Sequence, residues 1–176
     1  MVLKPQDVVV SAKLLSYKDF RPTIAEMASA LALSPSEVHG SIRRLQAARL
    51  IHSARLGNAP ILDSIREFFV HGFKYAFPAQ RGELTRGMPT GYAAEPLKSL
   101  VVAGDEPPPV WPYAEGSVRG VSFKPLYAKV PLAAKSDPFL YEILSLLDAI
   151  RDGRVRERNL AERELLLRLS QSVGQS

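Results

Sequence analysis

The sequence predicts a mainly α-helical fold with one small β-hairpin, and three observations carry that prediction. Apolar residues recur at helical spacing in six separate stretches. The stretch Ser34–Ala48 opens with Ser-x-x-Glu, in which each side chain satisfies a backbone N–H that a helix start leaves orphaned. Ten of the fourteen prolines crowd into residues 78–138, separating a helical first half from a helical C-terminal segment.

The N-terminal elements follow in order. Residues 4–17 read as a first helix: Pro5 suits N1, Asp7 complements the dipole in the first turn, and Val8, Val9, Ala12 and Leu15 share a face. The run Val8-Val9-Val10 would also suit a strand, but the Pro and the following Ala-Lys-Leu-Leu favour helix. Asp19 to Pro22 make a break. Thr23 to Leu31 form a second helix whose buried stripe is Ile24, Met27, Ala28 and Leu31. A third helix spans 35–48, with Ser34 at the N-cap, Pro35 at N1 and Glu37 at N3. Its buried face is Val38, Ile42 and Leu45, which turns His39, Gly40 and Arg43 outward. Leu50 to Leu56 and Ala59 to Leu62 read as two short strands around a Gly57-Asn58 turn, with Pro60 limiting their pairing.

The pattern SPSEVHGSIRRLQAARLI resembles the recognition helix and following strand of bacterial winged helix-turn-helix regulators of the broad MarR and ArsR kind. The likeness covers roughly residues 5 to 75. It departs at Arg49, where that family has Gly, a residue that ends helices cheaply because it accepts the left-handed conformation. The resemblance implies double-stranded DNA as partner, with the third helix in the major groove and the hairpin, or wing, at the backbone or minor groove. Ser36, His39, Gly40 and Arg43 are then the groove-facing set, Arg44, Arg55 and Asn58 the phosphate or minor-groove set, and Ser34, at the N-cap, is counted among the DNA-binding residues. Because Gly40 carries no side chain, base readers are few, and specificity is expected to come from a homodimer over two half-sites.

Charge distribution agrees with that expectation. The net charge is +5, and residues 1–80 hold ten Lys/Arg against six Asp/Glu. Within 34–58, Arg43, Arg44, Arg49 and Arg55 face the single acid Glu37. Clustered cations drive phosphate binding through counterion release. The chain has no cysteine, which excludes disulfides, thiolate zinc sites and cysteine nucleophiles and fits a cytoplasmic setting. No apolar run reaches the ~18 residues of a membrane span. His39, His52 and His71 are scattered without metal spacing, and no Walker loop, dinucleotide loop or Gly-x-Ser-x-Gly elbow is present. No cofactor and no enzymatic activity are expected.

Four units are predicted: a winged helix-turn-helix domain at 1–77, a Pro/Gly-rich extended arm at 78–136, a C-terminal α-helical hairpin at 137–170, and a disordered tail at 171–176. In the first unit, a helix from Asp63 to Tyr75 carries a wide apolar stripe of Leu62, Ile65, Phe68, Phe69 and Phe73. That stripe is either a dimer surface or the cover of another segment of the same chain. The arm holds Trp111, Tyr113, Phe123 and Tyr127, aromatics that either wrap on the chain's own core or dock a partner protein. Asp137 caps the hairpin's first helix, Pro138 stands at N1, and Gly153 ends it; a second helix runs from Val155 to Leu169. The expected function is sequence-specific DNA binding in transcription regulation, as a repressor. The alternative is a protein-interaction module, such as an antitoxin that binds a partner through the arm and represses its own promoter.

Overall fold

Helix α1 (Pro5–Leu15) bears apolar residues around its whole circumference, and the other elements gather about it. Val8, Val9, Val10, Ala12, Leu14 and Leu15 are all buried. The β-branched run is helical because burial against α2, α3 and α7 outweighs its strand propensity. Asp7 caps the helix start, its carboxylate accepting the Lys4 N–H at 2.8 Å. The structure, a computed structural model, describes residues 1–173.

Two short helices follow. α2 (Ile24–Leu31) begins with a full Thr23–Glu26 capping box and ends at Ala32, which takes the left-handed conformation at φ +52°. α3 (Pro35–Ala47) begins with the expected Ser34–Glu37 box. At its far end Leu50 N–H reaches Leu45 O at 3.0 Å and Arg49 N–H reaches Gln46 O at 3.0 Å, with Arg49 left-handed at φ +58°. This is a Schellman ending. Arg49 therefore adopts the conformation for which Gly is the easier residue, against a backbone cost of roughly 1–2 kcal/mol.

The expected wing strands are corrected. Between Leu50 and Leu62 only Ile51 and Pro60 form a β-bridge, and the tip is a 3₁₀ turn, Ala54–Leu56. Pro60 has no N–H to extend the ladder, and positive φ at Gly57 and Asn58 folds the chain back at once. The result is a compact knuckle.

α4 (Leu62–Glu67), a π-helical turn (Phe68–Gly72) and α5 (Phe73–Ala76) then run on without a break. Ile65, Phe69 and Phe73 are fully buried, and α5 packs on α7. Three of the five stripe residues are thus covered within the chain, while Leu62 and Phe68 stay half-buried at its edge.

Residues 78–136 are not an extended arm. They hold β1 (Arg81–Pro89), β2 (Pro109–Pro112), β3 (Val118–Phe123) and helix α6 (Val130–Lys135). β1 pairs antiparallel with both other strands and β2 pairs parallel with β3, so the small sheet closes on itself. Closure needs glycine at two crossings. A Cβ on Gly87 would stand 2.1 Å from Trp111 O, and one on Gly120 would stand 2.0 Å from Pro108 O. Prolines sit at strand ends, in connections or, as Pro131, in the first turn of a helix, where a missing N–H costs little. Trp111 and Phe123 point inward and join the single apolar core that also contains Val9, Phe69 and Leu144.

α7 (Pro138–Asp152) is capped by Asp137, whose side chain accepts from Leu140 N–H at 3.0 Å, and Gly153 ends it. α7 is the floor of the sheet. Its buried Asp148 accepts from Trp111 Nε1 at 2.8 Å, Thr90 Oγ1 at 2.7 Å and the Arg151 guanidinium at 2.9 and 3.0 Å. Arg151 also donates to Phe77 O and Lys124 O and lies between the Phe73 and Phe123 rings. Burial pushes the Asp148 carboxyl up, and these four donors oppose the shift. α8 (Val155–Val173) completes the helical hairpin. It extends through 171–173, correcting part of the expected tail; residues 174–176 lie outside the described residues. Among the described residues no helix is long and apolar enough to cross a membrane.

Close strand crossing makes a sharp test of sheet closure. Gly120→Ala is expected to lower stability by about 3 kcal/mol, read as a fall of roughly 6–12 °C in Tm by scanning calorimetry. A loss below about 0.5 kcal/mol would mean that the strands do not meet at that point.

Candidate nucleic-acid interface

The outward face of α3 follows from its buried one. Val38, Ile42 and Leu45 pack inward, so Ser36, His39 and Arg43, spaced by three and four residues, emerge as one exposed stripe. Ser34, Pro35 and Glu37 at the helix start are also exposed. The Ser34 hydroxyl and N–H both donate to the Glu37 carboxylate, at 2.8 and 2.7 Å, and Ser34 Oγ accepts from Glu37 N–H at 3.2 Å. Ser34 is therefore committed to the cap. The same bonds hold the Glu37 carboxyl below its ordinary value.

Two residues expected to face DNA have other work. Arg44 does not reach outward: its guanidinium grips Asp7 through two bonds, 2.8 Å from Nε and 2.7 Å from Nη2, and a third goes to Ser41 Oγ at 3.2 Å. Asp7 is fully buried, so this pair anchors α3 to α1. Gly40 is half-buried, and a Cβ there would meet Arg44 Nη1 at 3.2 Å. Its lack of a side chain clears the path of the Arg44 guanidinium along the helix. Gly40 is a spacer for an ion pair and not a gap in a reading face.

The knuckle is seated against α3. Gln46 Nε2 donates to Asn58 Oδ1 at 2.7 Å, so Asn58 serves as a fastener. Arg55 stands exposed on the 3₁₀ turn beside Leu56, which is 61% exposed. Sequence reasoning missed two further cations. Arg21, in the loop between α1 and α2, donates to Tyr17 O, Lys18 O and Phe20 O, and its aliphatic stem lies 3.2–3.4 Å from where a Gly57 Cβ would be. Lys129, just before α6, faces Ser34, Pro35 and Glu37 across a shallow groove. Tyr127 places it there by donating from its hydroxyl to Leu31 O at 2.9 Å. Neither contact has a local signal, because each joins residues far apart in the chain.

Of the predicted set, then, Ser36, His39, Arg43 and Arg55 stand free on the surface, while Ser34, Gly40, Arg44 and Asn58 build the support beneath them. Arg43 and Arg55 make no ion pair among the described residues. No family model, curated protein or solved structure matches the chain.

Support and surface separate by mutation. Arg44→Ala strands a buried carboxylate and is expected to cost about 3 kcal/mol in urea unfolding, whereas Arg43→Ala stays within about 0.5 kcal/mol of the native chain. Equal effects would dissolve the distinction. The cap carries a pH signature. Because the folded Glu37 carboxyl titrates below its unfolded value, its stabilisation is present at neutral pH and lost as pH falls through the folded value. Glu37→Ala should be less stable than the native chain at pH 7, and the gap should narrow toward about pH 3, past the ordinary glutamate value near 4.3. A gap that is constant with pH would show that the carboxylate's charge plays no part.

Proposed function

We propose that the chain is a double-stranded DNA-binding transcriptional regulator of helix-turn-helix type, with α3 as the element that enters the major groove. The single observation that supports this reading most is the exposed Ser36–His39–Arg43 stripe on a helix held rigid by two capping residues and the Arg44–Asp7 pair. Arg43 has the fork geometry that matches guanine O6 and N7, His39 and Ser36 can donate or accept at neighbouring bases, and Arg55, Arg21 and Lys129 flank the stripe as phosphate contacts. The knuckle is short, so its contribution is to backbone contact and not to deep groove insertion. Regulation follows from occupancy: a bound protein blocks polymerase access, with a homodimer reading two half-sites to supply the specificity that three side chains lack. Such a role belongs in the cytoplasm, where the DNA is.

The alternative of a partner-binding arm has less to support it, because two of its four aromatics turn inward while Tyr113 stays half-buried at the surface with its hydroxyl on exposed Glu115. Trp111 and Phe123 are 1% and 2% exposed, and the Tyr127 hydroxyl is spent on Leu31 O.

Fluorescence anisotropy on labelled duplexes tests the proposal, with DNA from upstream of the coding region compared against a random duplex over a KCl series. Native protein is expected to prefer the upstream duplex and to show a log–log salt slope of several units. The triple variant His39→Ala, Arg43→Ala, Arg55→Ala should lose at least tenfold in affinity, and its slope should fall by about 0.9 for each phosphate contact removed. Native-like binding by the triple variant would remove α3 and the knuckle from the interface.

A further inference from the structure

The closed sheet carries a charge arrangement that its own stability does not favour. In the β1–β3 register Arg86 stands directly opposite Arg119, and both are exposed. Side chains directly opposed in an antiparallel pair share a face with Cβ atoms about 5 Å apart, and like charges there are destabilising. The next pair on that face is Leu84 opposite Val121, with Leu84 51% exposed. Three other cations around the sheet are matched, while Lys98 and Lys124, each alone on its loop, make no ion pair among the described residues. Arg81 pairs with Asp152, Lys135 with Glu115 at 3.4 Å, and Arg154 with Glu106 at 3.1 Å. Arg86 and Arg119 have no acidic partner among the described residues.

We propose that the Arg86–Arg119 cross-strand pair is a second nucleic-acid contact, which grips the phosphodiester backbone of duplex DNA without reading its sequence. The proposal rests on the DNA-binding reading of the chain and adds a surface outside the helix-turn-helix. Two guanidiniums held side by side suit a polyanion better than a single carboxylate. An exposed ion pair with one carboxylate is worth at most about 1 kcal/mol, whereas each phosphate neutralised on a duplex also releases condensed counterions. Arginine's planar fork matches phosphate oxygens, and the closed sheet holds both stems in fixed register, so little order remains to be imposed on binding. Gly87, next to Arg86, allows β1 to cross close against Trp111 of β2.

The experiment is a KCl titration on a random-sequence duplex with four full-length proteins: native, Arg86→Ala with Arg119→Ala, Arg86→Lys with Arg119→Lys, and Arg156→Ala with Arg163→Ala as a charge-matched control on the exposed face of α8. Thermal unfolding checks that each is folded. The Ala pair should weaken binding several-fold at low salt and reduce the log–log slope by about 1.8, the value for two phosphates. The Lys pair should keep most of that slope, and the control should bind like native protein. Native-like binding by the Ala pair overturns the inference; if the α3 triple variant loses binding in the same assay, the regulator reading stands without it. Loss in the Ala pair with native-like binding by the α3 variant supports the sheet contact and removes α3. Fluorescent poly-L-glutamate that binds more tightly than the duplex, and is lost in the Ala pair, overturns the inference in favour of an acidic protein segment. No duplex binding by native protein at low salt removes both readings.

Discussion

A helix buried on every side has no surface on which to leave a charge, and α1 sets that constraint on the whole molecule. Its two charged side chains must each find a partner from another element. Asp7, in the first turn, takes Arg44 of α3; Lys13, in the last turn, donates to Asp137 at 2.6 Å, the carboxylate that also caps α7. The ends of one short helix thus fix the position of two others. The exposed stripe of α3 owes its orientation to the first of these bonds, since a guanidinium that grips a buried carboxylate through two nitrogens allows the helix little rotation.

The second half of the chain solves the same problem with one residue pair. Asp148 and Arg151 sit where the sheet, the end of α5 and α7 meet, and between them they engage Thr90, Trp111, Phe77 and Lys124. A buried pair of this kind is weak evidence for stability taken alone, but it specifies geometry, because each missing partner would leave a desolvated polar group. It also explains why the proline-rich stretch is structured at all. Trp111 and Phe123 have a polar anchor inside, in Asp148 and Arg151, so they turn inward. What stays on the surface is the unpaired cationic set of α3, the knuckle and the β1–β3 face.

How much of this was legible depends on range. The Ser34–Glu37 box and the Asp137 cap are written within four residues, and both stand where the sequence puts them. The mainly α fold with a small sheet was also readable, from helical periodicity on either side of the prolines. The place of the sheet was not. RGELTRGMP shows no alternation of apolar and polar residues, and its pairing depends on two glycines that let distant strands cross. At the candidate interface, Ser36, His39 and Arg43 were legible as exposed residues because helical phase alone turns them outward, and Arg55 because it stands beside the Gly57-Asn58 turn signal. Arg44 was misread because Asp7, its partner, lies 37 residues earlier. Arg21 and Lys129 were missed for the same reason.

The shared burial of α1 sets an order of events during synthesis. Its contacts with α2 and α3 are complete once about the first fifty residues have left the ribosome, but its remaining cover is α7, which ends at Asp152. At translation rates of roughly 5–20 residues per second, the apolar face that α7 will cover waits about 4 to 15 seconds after residue 77 has emerged. During that interval α1, α2 and α3 exist without their backing. A nascent chain of this protein therefore offers a chaperone a defined apolar surface, and a fragment cut at the boundary the sequence suggests would carry that surface permanently.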